Sequence, residues 1–301
     1  SGKTSVAHWL ARSEGFEILS ADAMQVYRGM DIGTAKPTPA ERAGIVYHGL
    51  DLVSPDQTFS AGDFLRNARE VVRDCASRGV PLLVAGGTGL YFRALWQGLD
   101  SATAPSAELR EKWRTWLAER GLESLQAEAE RRSPGVLARM ADPDNPRRLL
   151  RVLERLDAGD DPLPRRELES TPQPLALPCL HVEPSLLAAR IAKRIEVMLA
   201  DGFEEEVRVL AARYPQLSHS AAGAIGYAEV LAMLRGEMER EVAMERIAAR
   251  TRQLAKRQRT WFRNQAAAVW IDGPENELDA QRAGVELMKY WRQHGNVFTF
   301  G

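Results

Sequence analysis

The sequence predicts an α/β fold in which a P-loop-type parallel sheet is flanked by helices and interrupted by an all-helical insertion domain. Three observations lead to this prediction. The chain opens with half of a phosphate-binding loop, short apolar strands then alternate with helical patterns, and from Ser106 to Asp157 the pattern is helical throughout. Strands that alternate with helices are typical of a parallel sheet.

The phosphate-binding loop is represented by Ser1-Gly2-Lys3-Thr4. A complete loop reads G-x-x-x-x-G-K-[ST]; its backbone N–H groups surround a diphosphate, its Lys contacts the outer oxygens and its hydroxyl binds Mg²⁺. We expect the leading strand and the first glycine of the motif to precede Ser1. The apolar residues that follow have helical spacing: Val6, Ala7, Leu10 and Ala11. They favour a helix whose N-terminus faces an anion, with an ordinary helix start as the alternative.

A second glycine-rich segment lies where a generic ATP-binding or nucleotide-binding enzyme has an acidic residue. Such enzymes usually have a second strand that ends in an acidic residue and helps to hold Mg²⁺. The candidate strand, Val80 to Ala85, runs instead into Gly86-Gly87-Thr88-Gly89-Leu90-Tyr91, which contains no carboxylate. A simple strand-end turn remains the alternative interpretation of these glycines.

A carboxylate occurs at the end of an earlier strand. Glu17 to Ser20 has the pattern of a short strand, and Asp22 follows its carboxyl end. Open parallel sheets bind their ligands at this edge. Asp22 is therefore a candidate site residue, and a turn or cap residue is the alternative.

Six segments of the chain carry a family resemblance. They are Ser1-Gly2-Lys3-Thr4; Asp22 with Met30-Asp31-Ile32-Gly33-Thr34-Ala35-Lys36; Gly86-Gly87-Thr88-Gly89-Leu90-Tyr91; Asn145 with Arg148 and Arg151; Ile225-Gly226-Tyr227; and Thr251-Arg252-Gln253-Leu254-Ala255-Lys256-Arg257-Gln258. In this order, and spanning nearly the whole chain, the sequence resembles the bacterial tRNA dimethylallyltransferases.

The resemblance implies a prenyltransferase of tRNA processing and tRNA modification. Such a transferase moves a dimethylallyl group from dimethylallyl diphosphate to N6 of the adenine 3′-adjacent to the anticodon, giving N6-dimethylallyladenosine. The loop would then bind the diphosphate of the donor instead of a nucleotide, through Ser1, Gly2, Lys3 and Thr4. Thr4 would also hold Mg²⁺, the one cofactor that we expect.

Three residues are the expected catalytic groups under this resemblance. Asp22 would accept the proton of the adenine amine as the new C–N bond forms, because that amine is a weak nucleophile. Thr88 would lie near the reacting amine. Arg148 would contact the diphosphate or the tRNA backbone; it shares a helix face with Arg151 after the favourable first-turn residue Pro146. A solvated basic stripe is the alternative for that helix.

The resemblance also implies a set of tRNA contacts. Tyr227 belongs to an element that approaches the anticodon loop, where aromatic side chains often stack on bases. The full set of expected tRNA-binding residues is Asp22, Ala23, Met24, Gln25, Arg147, Arg148, Arg151, Tyr227, Arg252, Lys256, Arg257, Arg259 and Arg263.

Local charge supports RNA binding independently of the family. Between Arg246 and Arg263 there are seven basic residues and no acidic one, and four of them share a helix face: Arg252, Lys256, Arg259 and Arg263. Such a stripe can neutralise several phosphates, and its contribution should fall with added salt. A solvated basic face is the alternative. Trp261 and Phe262, within the same stretch, are expected to be packing residues.

Composition sets the remaining expectations. The chain has 301 residues, 45% hydrophobic residues and a formal net charge of −1. We expect a catalytic core in 1–103 and 179–301, and a helical insertion in 104–178 that grips the anticodon stem. Without an apolar run of membrane-spanning length or a targeting segment, we expect a cytoplasmic protein with no membrane contact, acting as a monomer.

Two other functions remain open at this point. One is a small-molecule P-loop enzyme, either an AMP isopentenyltransferase or a nucleotide kinase; the basic stripe and the insertion speak against it. The other is a non-catalytic RNA-binding module, against which Lys3, Thr4, Asp22 and Thr88 speak together.

Overall fold

The computed structural model describes residues 2–99, 106–163 and 176–294. These residues form two compact units. One unit consists of Ser1–Gly98 and Pro172–Gly301, and the other consists of Leu99–Thr171. The second unit therefore lies within the chain of the first, with bounds a few residues earlier than the insertion of 104–178 expected from the sequence.

The first unit begins with alternating helices and strands. Its elements are α1 (Lys3–Glu14), β1 (Glu17–Ala21), β2 (Tyr47–His48), α2 (Ala61–Arg78), β3 (Leu82–Gly86) and α3 (Gly89–Gln97). The second unit is helical in its described part, with α4 (Ala107–Arg132), α5 (Val136–Arg139) and α6 (Pro146–Asp157).

The first unit then resumes with two strands and six helices in its described part. These are β4 (Ala176–His181), α7 (Pro184–Ala200), α8 (Phe203–Arg213), α9 (His219–Ala222), α10 (Tyr227–Leu234), α11 (Arg240–Gln265), β5 (Ala267–Asp272) and α12 (Glu277–His294). No helix in the described ranges is both long enough and apolar enough to cross a membrane.

Every strand pairing between these elements is parallel. The described strands form a three-stranded sheet in the order β2-β1-β3 and a two-stranded sheet of β4 and β5. Ser20 is in register with Ala85, and Ala21 with Gly86. The carboxyl ends of β1 and β3 therefore lie side by side. The predicted α/β class with a parallel sheet and a helical insertion is confirmed.

Helix α2 shows how local sequence sets these elements. The Ser60 side chain accepts a hydrogen bond from the Asp63 amide, and the Asp63 carboxylate accepts one from the Ser60 amide. This reciprocal cap satisfies donors that the first helical turn leaves open. At the other end Gly79 adopts a left-handed φ of 67° and stops the helix. The expected helix from Phe64 to Ala76 is thus present and slightly longer.

The largest core cluster of the first unit surrounds the segment after β1. Val26, Tyr27 and Met30 are fully buried against apolar residues of α7, α8 and α10, including Phe203 and Val230. Burial of this kind contributes roughly 1.5–3 kcal/mol for each large side chain. The loop that leaves Asp22 is therefore anchored to three helices that are distant in sequence.

The second unit has a core of its own. Trp113 and Leu125 of α4 are buried against Leu149 and Leu153 of α6. Helix α4 is kinked at Gly121, whose φ of 77° lies in the left-handed region. Because glycine adopts that φ at little cost, the two arms of α4 can both follow the surface of this core.

Candidate active site

A cavity of about 1560 Å³ in the first unit extends along β3 and β4 and includes residues at the carboxyl ends of β1 and β3. Several of the predicted site residues of this unit line it from separate elements, whereas Ala23 and Thr88 do not line it. Its polar lining includes Lys3, Thr4, Asp22, Gln25, Arg194 and Arg252. Residues of β3 and β4 line its apolar part.

The start of α1 forms one end of this cavity. Gly2 precedes the helix with a φ of 75°, no side chain caps the helix, and its first turn contains no acidic residue. A Cβ on Gly2 would lie 2.4 Å from Pro274 Cγ, so glycine is needed here for both φ and space. Lys3 and Thr4 follow within the first turn, where N–H groups and the helix dipole favour an anion. Ser1 lies outside the described residues.

Arg194 of α7 adds a second cation, which the sequence did not indicate. Burial lowers the pKa of the Lys3 ammonium, and the charge of Asp22 opposes this shift. Arg194 has the same pattern, with its pKa lowered by burial and raised again by Asp22. Both side chains have exposed surface because they face the cavity, whereas its walls reduce the solvation of their charges. Two cations therefore interact with the Asp22 carboxylate.

Asp22 occupies the turn that follows β1. Its Oδ1 atom accepts a hydrogen bond of 2.9 Å from the Met24 amide. This is the local turn that Asp favours, and it fixes the orientation of the carboxylate. Met24 is half-buried at the cavity wall beside Asp22. The turn interpretation of Asp22 is thus confirmed, and its catalytic role stays a prediction.

Thr88 is brought to the same place from the end of β3. Its Oγ1 accepts a hydrogen bond of 3.0 Å from the Ala23 amide, and its own amide donates to the Ala21 carbonyl at 3.1 Å. Since a hydroxyl has one proton to donate, Thr88 can still donate to a third group. A Cβ on Gly86 would lie 2.2 Å from the Ala21 carbonyl oxygen, so the two strand ends meet only because Gly86 has no side chain.

Gln25 connects this region to the next loop. Its Oε1 accepts a hydrogen bond of 2.9 Å from Ser20 Oγ, and its Nε2 donates to the Ala35 carbonyl at 3.1 Å. Gly33, Thr34 and Ala35 also line the cavity. The predicted contacts Met24 and Gln25 therefore line the cavity together with the loop of residues 33–35, whereas Ala23 does not line it.

Helix α11 runs beside the glycine turn around Thr88. A Cβ on Gly89 would lie 2.2 Å from the Trp261 ring, and one on Gly87 would lie 2.3 Å from Gln258 Nε2. Trp261 also contacts Trp96, with ring centroids 6.1 Å apart. Trp261 is thus the packing residue that was expected, and it holds α11 next to Thr88.

The basic residues of α11 face the cavity and the solvent. Arg259 is half-buried, and the other predicted RNA contacts on this helix are exposed. Those that line the cavity are Arg252, Lys256, Arg257 and Arg259. Arg250 has a structural role instead, because it pairs with the buried Glu229 and donates to the Gly223 carbonyl. The stripe therefore extends the cationic surface outward from the cavity.

Tyr227 requires a correction. We expected an aromatic surface for base stacking, but Tyr227 is only 4% exposed. Its ring meets Phe203 edge-on, with centroids 5.1 Å apart, and its hydroxyl donates to Glu206 at 2.7 Å. Burial, followed by the Glu206 charge, raises its pKa. Tyr227 therefore supports the protein interior, because the surrounding helices leave no ring face for a base.

The remaining predicted residues lie on α6 of the second unit. Asn145 caps this helix through a hydrogen bond of 3.1 Å from the Arg147 amide. Arg147 and Arg148 are exposed, and Arg151 is half-buried and pairs with Glu154 at 3.5 Å. The catalytic role of Arg148 stays a prediction.

Comparison with known proteins identifies the family. The family model described as IPP transferase matches residues 25–265. The chain belongs to the IPP transferase family. The resemblance inferred from the six segments is thereby confirmed.

Relatives of this family match nearly the full chain. The tRNA dimethylallyltransferase of Geobacter metallireducens is 40% identical over 91% of this chain and 90% of its own length. The tRNA dimethylallyltransferase of Thiobacillus denitrificans is 40% identical over 95% of this chain and 92% of its own length. These IPP transferase relatives therefore contain both the core and the insertion.

Solved structures of the family show the same fold. The tRNA isopentenylpyrophosphate transferase of Bacillus halodurans superposes with a TM-score of 0.69 at 30% identity, covering 97% of this chain and 93% of its own. A eukaryotic dimethylallyltransferase acting on tRNA superposes with a TM-score of 0.79 at 22% identity, covering 99% and 78%. The second likeness shows the fold alone.

Proposed function

We propose that this IPP transferase moves a dimethylallyl group from dimethylallyl diphosphate to N6 of the adenine 3′-adjacent to the anticodon in tRNA. One observation carries the proposal: Asp22 interacts electrostatically with the cations Lys3 and Arg194 at the cavity wall, and Thr88 accepts a hydrogen bond from Ala23, the next residue along the chain. A base and an anion site are thus combined in one cavity. The names of the curated relatives support the same reaction.

The donor diphosphate fits the cationic end of the cavity. The N-terminus of α1, Lys3 and Arg194 can neutralise its oxygens before and during departure, when negative charge accumulates there. Thr4 supplies a hard oxygen ligand in the same cavity, which suits Mg²⁺. When bound there, the ion would add positive charge next to the leaving group.

The acceptor amine fits between Asp22 and Thr88. The lone pair of an adenine amine is delocalised into the ring, so removal of its proton during attack lowers the barrier. Asp22 can accept that proton, since Met24 fixes its carboxylate from one side. Thr88 can donate its hydroxyl proton, which no hydrogen bond described above uses, to a ring nitrogen or to the diphosphate. The bond from the donor carbon to its oxygen breaks, and a bond from that carbon to N6 forms.

The RNA backbone fits the basic surface of α11. Arg252, Lys256 and Arg257 present exposed cations at the cavity rim, where phosphates next to an extruded base would lie. Target bases enter such cavities by leaving their stack. In this proposal the second unit grips the anticodon stem through Arg147, Arg148 and Arg151, and the protein acts as a cytoplasmic monomer.

The test is the mass of an anticodon stem-loop RNA after incubation with the protein, Mg²⁺ and dimethylallyl diphosphate. We expect the gain of one dimethylallyl group, and no gain on a control stem-loop with guanine in place of the target adenine. Prenylation of free AMP, or ATP hydrolysis without RNA, would assign the chain to the small-molecule class instead. RNA binding without any transfer would leave a non-catalytic module.

A further inference from the structure

The loop of residues 31–36, part of which lines the cavity, donates several backbone hydrogen bonds to one carboxylate. Glu206 of α8 accepts hydrogen bonds from three consecutive backbone amides: Asp31 at 2.9 Å, Ile32 at 2.7 Å and Gly33 at 3.1 Å. Consecutive amides of this kind form a concave site for an anion. Here the anion is a side chain supplied from a helix more than a hundred residues further along the chain.

The same carboxylate is itself fixed. Its Oε1 atom, which accepts from Gly33, also accepts from the Tyr227 hydroxyl at 2.7 Å. Tyr227 is buried against Phe203. The two rings leave no space for a side chain at Gly33, because a Cβ there would lie 2.4 Å from Phe203. The loop is therefore pressed against these two rings and bonded to Glu206 at the same time.

A chain of contacts leads from this carboxylate to the strand that precedes the candidate base. The amides of residues 31–33 position Thr34 and Ala35, whose carbonyls accept from Gln25. Gln25 in turn accepts from Ser20, at the end of the strand that precedes Asp22. Glu206 does not itself line the cavity, whereas the 33–35 loop and Gln25 do.

Lys36 completes the fixation of the loop at its other end. This buried ammonium donates to the Tyr27 carbonyl at 2.7 Å and to Asp51 at 2.7 Å, and it also pairs with Asp31. None of these contacts involves the cationic end of the cavity at Lys3 and Arg194. The loop is thus held independently of the place where the donor diphosphate would bind.

We infer that Glu206 is a positioning residue for the acceptor side of the site. It acts through the 31–36 loop and Gln25, and it sets the wall against which the acceptor base is held, without contact to either substrate. The inference rests on the proposed prenyl transfer to RNA. Positioning of this kind matters because a displacement of about 1 Å can cost about a hundredfold in rate.

The test compares Glu206→Gln with Glu205→Gln. Both variants remove one negative charge from the first turn of α8, but in the described part of the chain Glu205 pairs with Arg208 alone. In Glu206→Gln the three loop N–H groups lose their charged partner, and at least one of them loses its acceptor because an NH₂ group replaces one oxygen. We expect the Michaelis constant for a stem-loop RNA to rise on the order of tenfold, while that for dimethylallyl diphosphate stays within about twofold. Glu205→Gln should match the wild type.

Hydrogen exchange of the amides at residues 31–33 provides a readout that needs no activity. These amides should exchange faster in Glu206→Gln than in Glu205→Gln, and Glu206→Asp should restore part of the protection. Unchanged exchange in Glu206→Gln would overturn the inference. Equal increases in the Michaelis constants for dimethylallyl diphosphate and for the stem-loop RNA would also overturn it. If the wild type transfers no prenyl group to RNA, the proposed function fails, whereas the exchange result still decides whether Glu206 holds the loop at residues 31–33.

A second variant covers the case in which Glu206→Gln does not fold. Tyr227→Phe removes the hydroxyl that fixes Glu206 and leaves the carboxylate and the loop amides in place. We expect faster exchange at residues 31–33. The Michaelis constant for the stem-loop RNA should rise less than in Glu206→Gln, and that for dimethylallyl diphosphate should again stay unchanged. Wild-type exchange and kinetics in Tyr227→Phe would count against the inference.

Discussion

The Thr88 hydroxyl oxygen accepts a hydrogen bond of 3.0 Å from the amide of Ala23, the residue next to Asp22. This bond joins the ends of two parallel strands and fixes the turn that carries the candidate base. Thr88→Ala should leave the Ala23 amide without this acceptor. We expect kcat to fall about ten- to a hundredfold, because the variant loses both the acceptor that fixes the turn and the hydroxyl proton that can be donated to a substrate. Thr88→Ser, which keeps the hydroxyl, should retain most of the activity in the same steady-state assay.

Arg194 should act on the donor. Because it faces the Asp22 region from α7 and lies on the cavity wall, its loss should remove a charged contact with the diphosphate. We expect Arg194→Ala to raise the Michaelis constant for dimethylallyl diphosphate about ten- to a hundredfold, equivalent to roughly 1.5–3 kcal/mol. The neighbouring Lys193→Ala, which removes an exposed pair with Glu196, is the matched control. An effect confined to RNA affinity would contradict this assignment.

The basic surface of α11 should determine how RNA affinity depends on salt. Replacement of Arg252, Lys256 and Arg257 by Gln should weaken stem-loop binding and flatten the plot of log affinity against log salt concentration. Each lost phosphate contact should reduce the slope by roughly 0.7–0.9. Lys289→Gln, an exposed change on α12, should leave the slope unaltered. Fluorescence anisotropy at several salt concentrations measures both quantities, and equal slopes would rule out phosphate contacts by these three residues.

The start of β1 carries an ion pair between the buried Glu17 and the exposed Arg78, and this pair should make stability depend on pH. Arg78 donates two hydrogen bonds to Glu17, at 2.6 and 2.8 Å, and His48 contacts the same carboxylate. The Arg78 bonds lower the Glu17 pKa to about 2, from an ordinary 4.5. A depressed carboxylate pKa stabilises the fold above the ordinary value, and this contribution is lost as pH falls towards 2.

Glu17→Gln should therefore lower the free energy of unfolding by about 2 kcal/mol at neutral pH. The difference from the wild type should shrink below pH 4.5 and vanish near pH 2. The exposed Asp56→Asn is the control, and it should leave the pH profile of stability unchanged. Urea titrations at several pH values measure this, and a pH-independent difference would contradict the ion-pair account.

The meeting of Asp22 and Thr88 could be predicted from sequence. Both residues follow strand patterns, and carboxyl ends of parallel strands lie at one edge of a sheet. The register of Ala21 with Gly86 brings them together as the pattern indicated. Here local periodicity and a general rule of topology were sufficient.

Arg194, Glu206 and Tyr227 could not be assigned in this way. Arg194 is one of several basic residues on α7, and Glu206 is one of three acids in the first turn of α8. Glu204 pairs with Arg240 and Glu205 with Arg208, so nothing local distinguishes the one that reaches the 31–33 amides. Their roles depend on packing between distant helices.

The most direct test of the central claim is the rate of prenyl transfer by Asp22→Asn. The asparagine retains an oxygen for the Met24 amide but cannot accept a proton from the adenine amine. Measured in a single turnover with saturating donor and stem-loop RNA, the rate should fall about 10²–10⁴-fold, while the dissociation constant for RNA stays within about threefold. A variant that transfers the prenyl group at nearly the wild-type rate would show that Asp22 is not the base.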